Sequence, residues 1–145
     1  MSIPPVPVPE EREELLDPVQ IDRLVRRFYQ AVVQDDLLGP IFEGMQVDWG
    51  AHIPKMVDFW SDRLLGLPGY QGNPVAAHQP VLDRFPFGEA ELTRWLELWT
   101  ETVGELFTGE TADFAVGRAH LAAAGIATLA RRHAGKPEAT LPLVP

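Results

Sequence analysis

The chain has 145 residues, with 12 Lys and Arg against 21 Asp and Glu, for a net charge of −9. That balance excludes nucleic-acid binding through phosphates and disfavours adhesion to an anionic membrane surface. The absence of cysteine removes disulfides, thiolate catalysis, iron–sulfur clusters and Cys-based zinc sites.

A domain of this length buries roughly 70% of the surface it exposes when unfolded, and 46% hydrophobic residues suit a self-sufficient core. No run of about 18 apolar residues is present to span a membrane. The N-terminus, Met1-Ser2-Ile3-Pro4-Pro5-Val6-Pro7-Val8-Pro9, has neither the basic region nor the apolar run of a secretory signal. A cytoplasmic location is expected. Proline clusters at both ends, which predicts a Pro-rich and acidic tail over 1–16, a compact body over 17–134 and a second tail over 135–145. The N-terminal tail reads as extended and solvated.

The body reads as helical throughout. Asp17 suits an N-cap, Pro18 the first helical position, and Gln20 completes a capping box. Ile21, Leu24, Val25, Phe28, Tyr29 and Val32 then form one apolar stripe that stops before Gly39-Pro40. Ile41-Phe42 reads as a short apolar piece in a turn. A second helix is predicted from about Asp48 to Leu65, burying Trp49, His52, Met56, Phe59, Trp60 and Leu64, with Pro54 forcing a kink or a late start. Asn73-Pro74 opens a short helix expected to end by Pro80, followed by an irregular stretch to residue 88. The next helix spans about Glu89 to Phe107, with Leu92, Trp95, Leu96, Trp99, Val103 and Leu106 on one face. The last runs to about His133, with Phe114, Leu121, Gly125, Thr128 and Leu129 inward and Gly117 and Ala124 permitting close approach. No alternating strand pattern appears, so the fold class is all-α.

The chain lacks a dinucleotide fingerprint, a phosphate-binding loop and the zinc-protease signature. No histidine has a glutamate three residues before it, which removes the di-iron bundle motif. What stands out is histidine in aromatic company. His52 is one helical turn before Met56 and two before Phe59 and Trp60, a wall suited to a flat organic cofactor. A core-edge histidine bonded to backbone explains the same pattern. His78 lies on a very short helix between Pro74 and Pro80, which has little stability of its own. A cofactor bond would order it; an exposed loop histidine is the competing reading. Tyr29 on the buried stripe needs a hydrogen-bond partner, as does the Trp95 indole. His120 and His133 read as surface or helix-end residues.

Taken in order, Phe28-Tyr29, Leu38-Gly39-Pro40-Ile41-Phe42, Trp49-x-x-His52-x-x-Lys55-Met56-x-x-Phe59-Trp60, Asn73-Pro74-x-x-x-His78 and Trp95-Leu96 resemble the truncated haemoglobins, most of all their third group. The resemblance covers about Asp17 to His133. It implies a shortened globin fold, a two-over-two helical sandwich around haem b. It implies His78 as the iron ligand, with Tyr29, His52 and Trp95 around a bound diatomic ligand. Phe28, Phe42, Met56, Phe59 and Trp60 would line the haem, and Lys55 would meet a propionate; Arg84 is a further propionate candidate from its neighbourhood. The implied function is reversible binding of dioxygen and other diatomics, with oxygen, nitric oxide or peroxide redox chemistry and a reductase partner as extensions. A peroxidase-like or nitric oxide dioxygenase-like enzyme is one such extension. A cofactor-free helical interaction module is the alternative.

Overall fold

A computed structural model describes residues 3–74, 76–85 and 87–133. Six helices lie among these residues: α1 (Pro18–Gln34), α2 (Gly39–Gly44), α3 (Trp49–Leu65), α4 (Gln79–Arg84), α5 (Glu89–Leu106) and α6 (Glu110–His133). A single 3-10 turn, Ala76–His78, leads directly into α4. Two-residue strands β1 (Glu13–Glu14) and β2 (Phe107–Thr108) pair in parallel. α1 packs on α3 and α5 on α6, and contacts of α1 with α5 and of α3 with α6 close the sandwich.

α1 begins as the sequence predicts. The Asp17 carboxylate accepts from the Gln20 N–H at 2.9 Å, and the Gln20 side chain accepts from the Asp17 N–H at 3.1 Å. Its stripe from Ile21 to Val32 is buried against both neighbours. α3 starts behind an Asp48 cap and stops at Gly66, whose φ of 69° is the left-handed conformation that glycine adopts without steric cost. Pro54 lies inside this helix, which continues through it. The buried set also includes Ile53 and Ser61, whereas His52, Met56 and Leu64 are partly exposed.

Three expectations are corrected. Gly39-Pro40 does not merely end α1: Pro40 opens α2, where its missing N–H costs nothing. Pro80 likewise sits in the first turn of α4 instead of ending a helix, so the stretch to residue 84 is regular. In α6 the inward face is Ala112, Ala115, Ala119, Ala123, Ile126 and Thr128, while Phe114 and Leu121 are 50% and 57% exposed. The bulk on this interface comes from α5: Trp99 is buried and donates its indole N–H to the Ala115 carbonyl at 3.1 Å. The small side chain at Ala115 leaves room for that ring. A Cβ on Gly117 would meet nothing within 4 Å, so this glycine is not at a close approach.

The stretch 3–16 is mostly exposed but is pinned to the body at a few points. Val6 and Leu15 are buried. The Gln30 side chain holds the stretch at three points, accepting from the Val6 N–H at 3.2 Å and donating to the carbonyls of Ile3 and Pro4. The differences from a solvated tail trace to these two apolar side chains and to one amide that matches an extended backbone. The tail assigned to 135–145 lies outside the described residues.

Candidate cofactor site

A cavity of about 380 Å³ opens between α1, α2, α3, the loop after α3, the 3-10 turn and α5, with α6 closing its floor. That is within the range of small-molecule and cofactor pockets. Its walls are mostly apolar and aromatic, and two imidazoles, His52 and His78, and two phenols, Tyr29 and Tyr70, line them.

His78 closes the 3-10 turn. Its Nδ1 lies 2.6 Å from the Pro74 carbonyl oxygen. A carbonyl only accepts, so Nδ1 carries the proton and donates. Burial, opposed by that bond, holds the His78 pKa below its ordinary value, so the ring is neutral near pH 7. A neutral imidazole protonated on Nδ1 keeps its lone pair on Nε2, the arrangement of a metal-ligating histidine with an oriented ring. The neighbouring prolines make this geometry local. Pro74 holds the carbonyl four residues back, and Pro80 starts the helix just beyond.

His52 is set differently. It lies on the first half of α3, and its Nε2 is 3.0 Å from the Tyr29 hydroxyl on α1. Burial first, then repulsion from His78 and Lys55 in their protonated forms, lowers its pKa to about 4. Tyr29 is 6% exposed, and burial drives its pKa upward, so it stays a neutral phenol. Its ring is enclosed by Phe28, Phe42, Trp49 and His52 at centroid distances of 4.8 to 5.8 Å. Trp95 lines the cavity edge-on to Phe28 at 5.8 Å.

No family model matches the chain. Group 3 truncated hemoglobin ctb of Campylobacter jejuni is 29% identical over 126 residues, covering 84% of this chain and 97% of that protein. The crystal structure of group III truncated hemoglobin from Campylobacter jejuni matches with a TM-score of 0.72 and 30% identity, over 82% of this chain and 94% of that one. The chain belongs to the truncated haemoglobins, most like group III.

A truncated haemoglobin is a globin-type haem protein that binds ligands, and the cavity residues fit that group chemically. One imidazole offers a free Nε2 lone pair, and the surrounding walls suit an apolar macrocycle. Among the described residues no three His, Asp or Glu side chains converge as a bare-ion site would need. A second, larger depression of about 760 Å³ lies between residues 3–5, α1, α2 and α5, but no histidine lines it.

Of the residues singled out from sequence, Phe28, Tyr29, Phe42, His52, Lys55, Met56, Phe59, Trp60, His78 and Trp95 all line this truncated-haemoglobin cavity. Arg84 does not. It projects from the last turn of α4 toward the end of α2, donates to the Gly44 carbonyl at 3.2 Å and stands over the Phe85 ring at 5.6 Å. A helix C-terminus, with its unpaired carbonyls, attracts such a cation. Sequence reasoning missed Met45, Val47, Tyr70, Val81, Phe87 and Ile126 as lining residues. Val81 follows from His78 by helical spacing once Pro80 is read as a helix start. Tyr70 was visible as the lone aromatic in a Gly/Pro-rich loop.

Proposed function

We propose that this truncated haemoglobin would hold haem b through His78 and bind dioxygen and related diatomics among Tyr29, His52 and Trp95. The observation that carries this reading is the His78 Nδ1 bond to the Pro74 carbonyl, which leaves Nε2 as a pre-oriented donor. Haem with one neutral imidazole ligand supplies an open coordination position for such ligands. Phe28, Phe42, Met56, Phe59 and Trp60 supply apolar wall to the cavity, and Lys55, which lines it too, would meet a propionate.

The Tyr29–His52 pair decides what hydrogen bond a ligand receives. A phenol both donates and accepts. With the proton on His52 Nδ1, Tyr29 donates to Nε2 and its proton is spent. With the proton on Nε2, His52 donates to the Tyr29 oxygen and the phenol proton is free to face the cavity. A ligand that accepts therefore selects the second tautomer. The Trp95 indole N–H is a second donor, and among the described residues no hydrogen bond engages it. Two donors in a water-poor cavity slow ligand release. Slow release favours oxygen, nitric oxide or peroxide chemistry fed by a reductase over bulk oxygen transport.

The test is an absorption spectrum of protein purified with haem available, before and after dithionite and then under carbon monoxide. A Soret band that shifts at both steps is expected. A chain that stays helical and refuses haem would overturn the proposal in favour of a cofactor-free interaction module.

A further inference from the structure

Three of the four tryptophans form a stack that ligand binding does not require. Trp95 and Trp60 both line the cavity. Behind them Trp99 is 1% exposed. Its ring centroid is 4.4 Å from that of Trp60, with 19° between the planes, and 6.3 Å from that of Trp95, with 5°. Phe59 then stands edge-on to Trp60 and to Tyr70 at 5.1 Å each. Tyr70 sits half-buried in the loop between α3 and the 3-10 turn, at the cavity rim. A continuous line of ring contacts thus runs from the cavity through the core and back out to a phenol beside solvent.

Thiols, indoles and phenols are the side chains that most readily lose one electron, and this chain has no thiol. Overlapping π-faces pass such a charge among Trp95, Trp99 and Trp60, edge contacts through Phe59 carry the line to Tyr70, and the bond from Trp99 to the Ala115 carbonyl locks the middle ring in place. We propose that Trp95, Trp99, Trp60 and Tyr70 form a one-electron relay, by which a hydroperoxide reduced in the cavity draws electrons from a small phenolic reductant at the rim. The inference rests on the haem reading above.

The hydroperoxide takes up two electrons and two protons. Its O–O bond breaks to give an alcohol and water. Each electron reaches the cavity by way of the stack, and Tyr70 refills the stack by losing one electron while its phenol proton passes to solvent. The resulting phenoxyl radical takes a hydrogen atom from the reductant, and two such passes balance one hydroperoxide. Tyr29 is a poor exit by comparison. It is enclosed, and its one proton acceptor, His52, lies in an environment that disfavours the imidazolium. Phe59 is not oxidised; it holds the Tyr70 ring close to Trp60.

The experiment uses full-length, haem-loaded ferric protein treated with hydrogen peroxide and a nitroso spin trap, followed by peptide mass spectrometry. The expected adduct is on Tyr70. Tyr70→Phe, compared with wild type at equal haem content, is expected to lose that adduct. Its freeze-quenched radical signal should turn from tyrosyl to tryptophanyl. Trp60→Phe and Trp99→Phe should lower Tyr70 labelling wherever they retain haem. Haem-loaded wild type with no adduct on Tyr70, or a Tyr70→Phe signal identical to wild type, would overturn the relay alone. A chain that takes up no haem would overturn the haem reading and the relay together, so the two failures are distinguishable.

Discussion

The two imidazoles of the cavity are neutral and largely buried, yet they are held by opposite kinds of partner. His78 is bound to a backbone carbonyl, which can only accept. His52 is bound to a phenol, which can donate or accept. The first partner fixes a tautomer; the second lets it change. Their supports differ as well. The His78 partner is four residues away and local, whereas the His52 partner is 23 residues away and exists only when α1 packs on α3. A fixed nitrogen suits permanent attachment of a cofactor, and a switchable pair suits ligands that come and go.

The largest expected effect breaks the fixed side. His78→Ala should abolish tight haem retention, measured as haem loss to a scavenging apoglobin, whereas His52→Ala should retain haem and change only ligand kinetics. Retention with unchanged axial coordination in His78→Ala would refute the assignment of the fixed nitrogen.

Next is the acid response of the switchable side. The folded pKa of His52, about 4, lies below its ordinary 6.5. The unfolded chain therefore binds the extra proton across that interval, and stability is full above about 6.5 and lost as pH falls toward 4. Urea unfolding at pH 7 and pH 4.5 should show roughly 2 to 3 kcal/mol of loss from this residue, absent in His52→Leu. An equal loss in both proteins would show that His52 is not the sensor.

Tyr29→Phe sharpens the comparison further. Removing one donor worth about 1.4 kcal/mol should speed dioxygen dissociation about tenfold, read by stopped flow. An unchanged rate would leave Trp95 as the donor that matters. The smallest effect lies away from the cavity. Asp35 accepts from Arg94 at 2.6 Å and from the N–H groups of Leu37 and Leu38, joining the end of α1 to α2 and α5. Its desolvation is outweighed by these bonds, so its pKa lies below the usual carboxylate value. The stability it contributes is present above about pH 4 and is lost as pH falls through the lower folded value. With Arg94 partly exposed, Asp35→Asn should cost about 1 kcal/mol near neutrality, with no change in haem affinity.

Much of this molecule was legible before folding. The Asp17–Gln20 capping box, the α1 stripe and the Gly66 stop are local, because capping and helical periodicity involve residues within a turn or two of each other. The setting of His78 is equally short-range: a carbonyl at Pro74 and a ring at His78 meet through one turn of chain. The prolines misled where their position within a turn, not their identity, decided the outcome, as at Pro40 and Pro80.

What tertiary packing alone decided is the set of contacts between distant segments. The inward face of α6 is the alanine side because Trp99 fills the space opposite, a choice invisible in the α6 sequence, where Phe114 and Leu121 have the stronger apolar pattern. Arg84 turned to the end of α2 because a helix C-terminus from elsewhere in the chain lay within reach. Residue types, helix starts and the His78 tautomer follow from neighbours in sequence. The Tyr29–His52 bond, the tryptophan stack and the cavity depend on which helices meet, and that is set by how whole faces fit together.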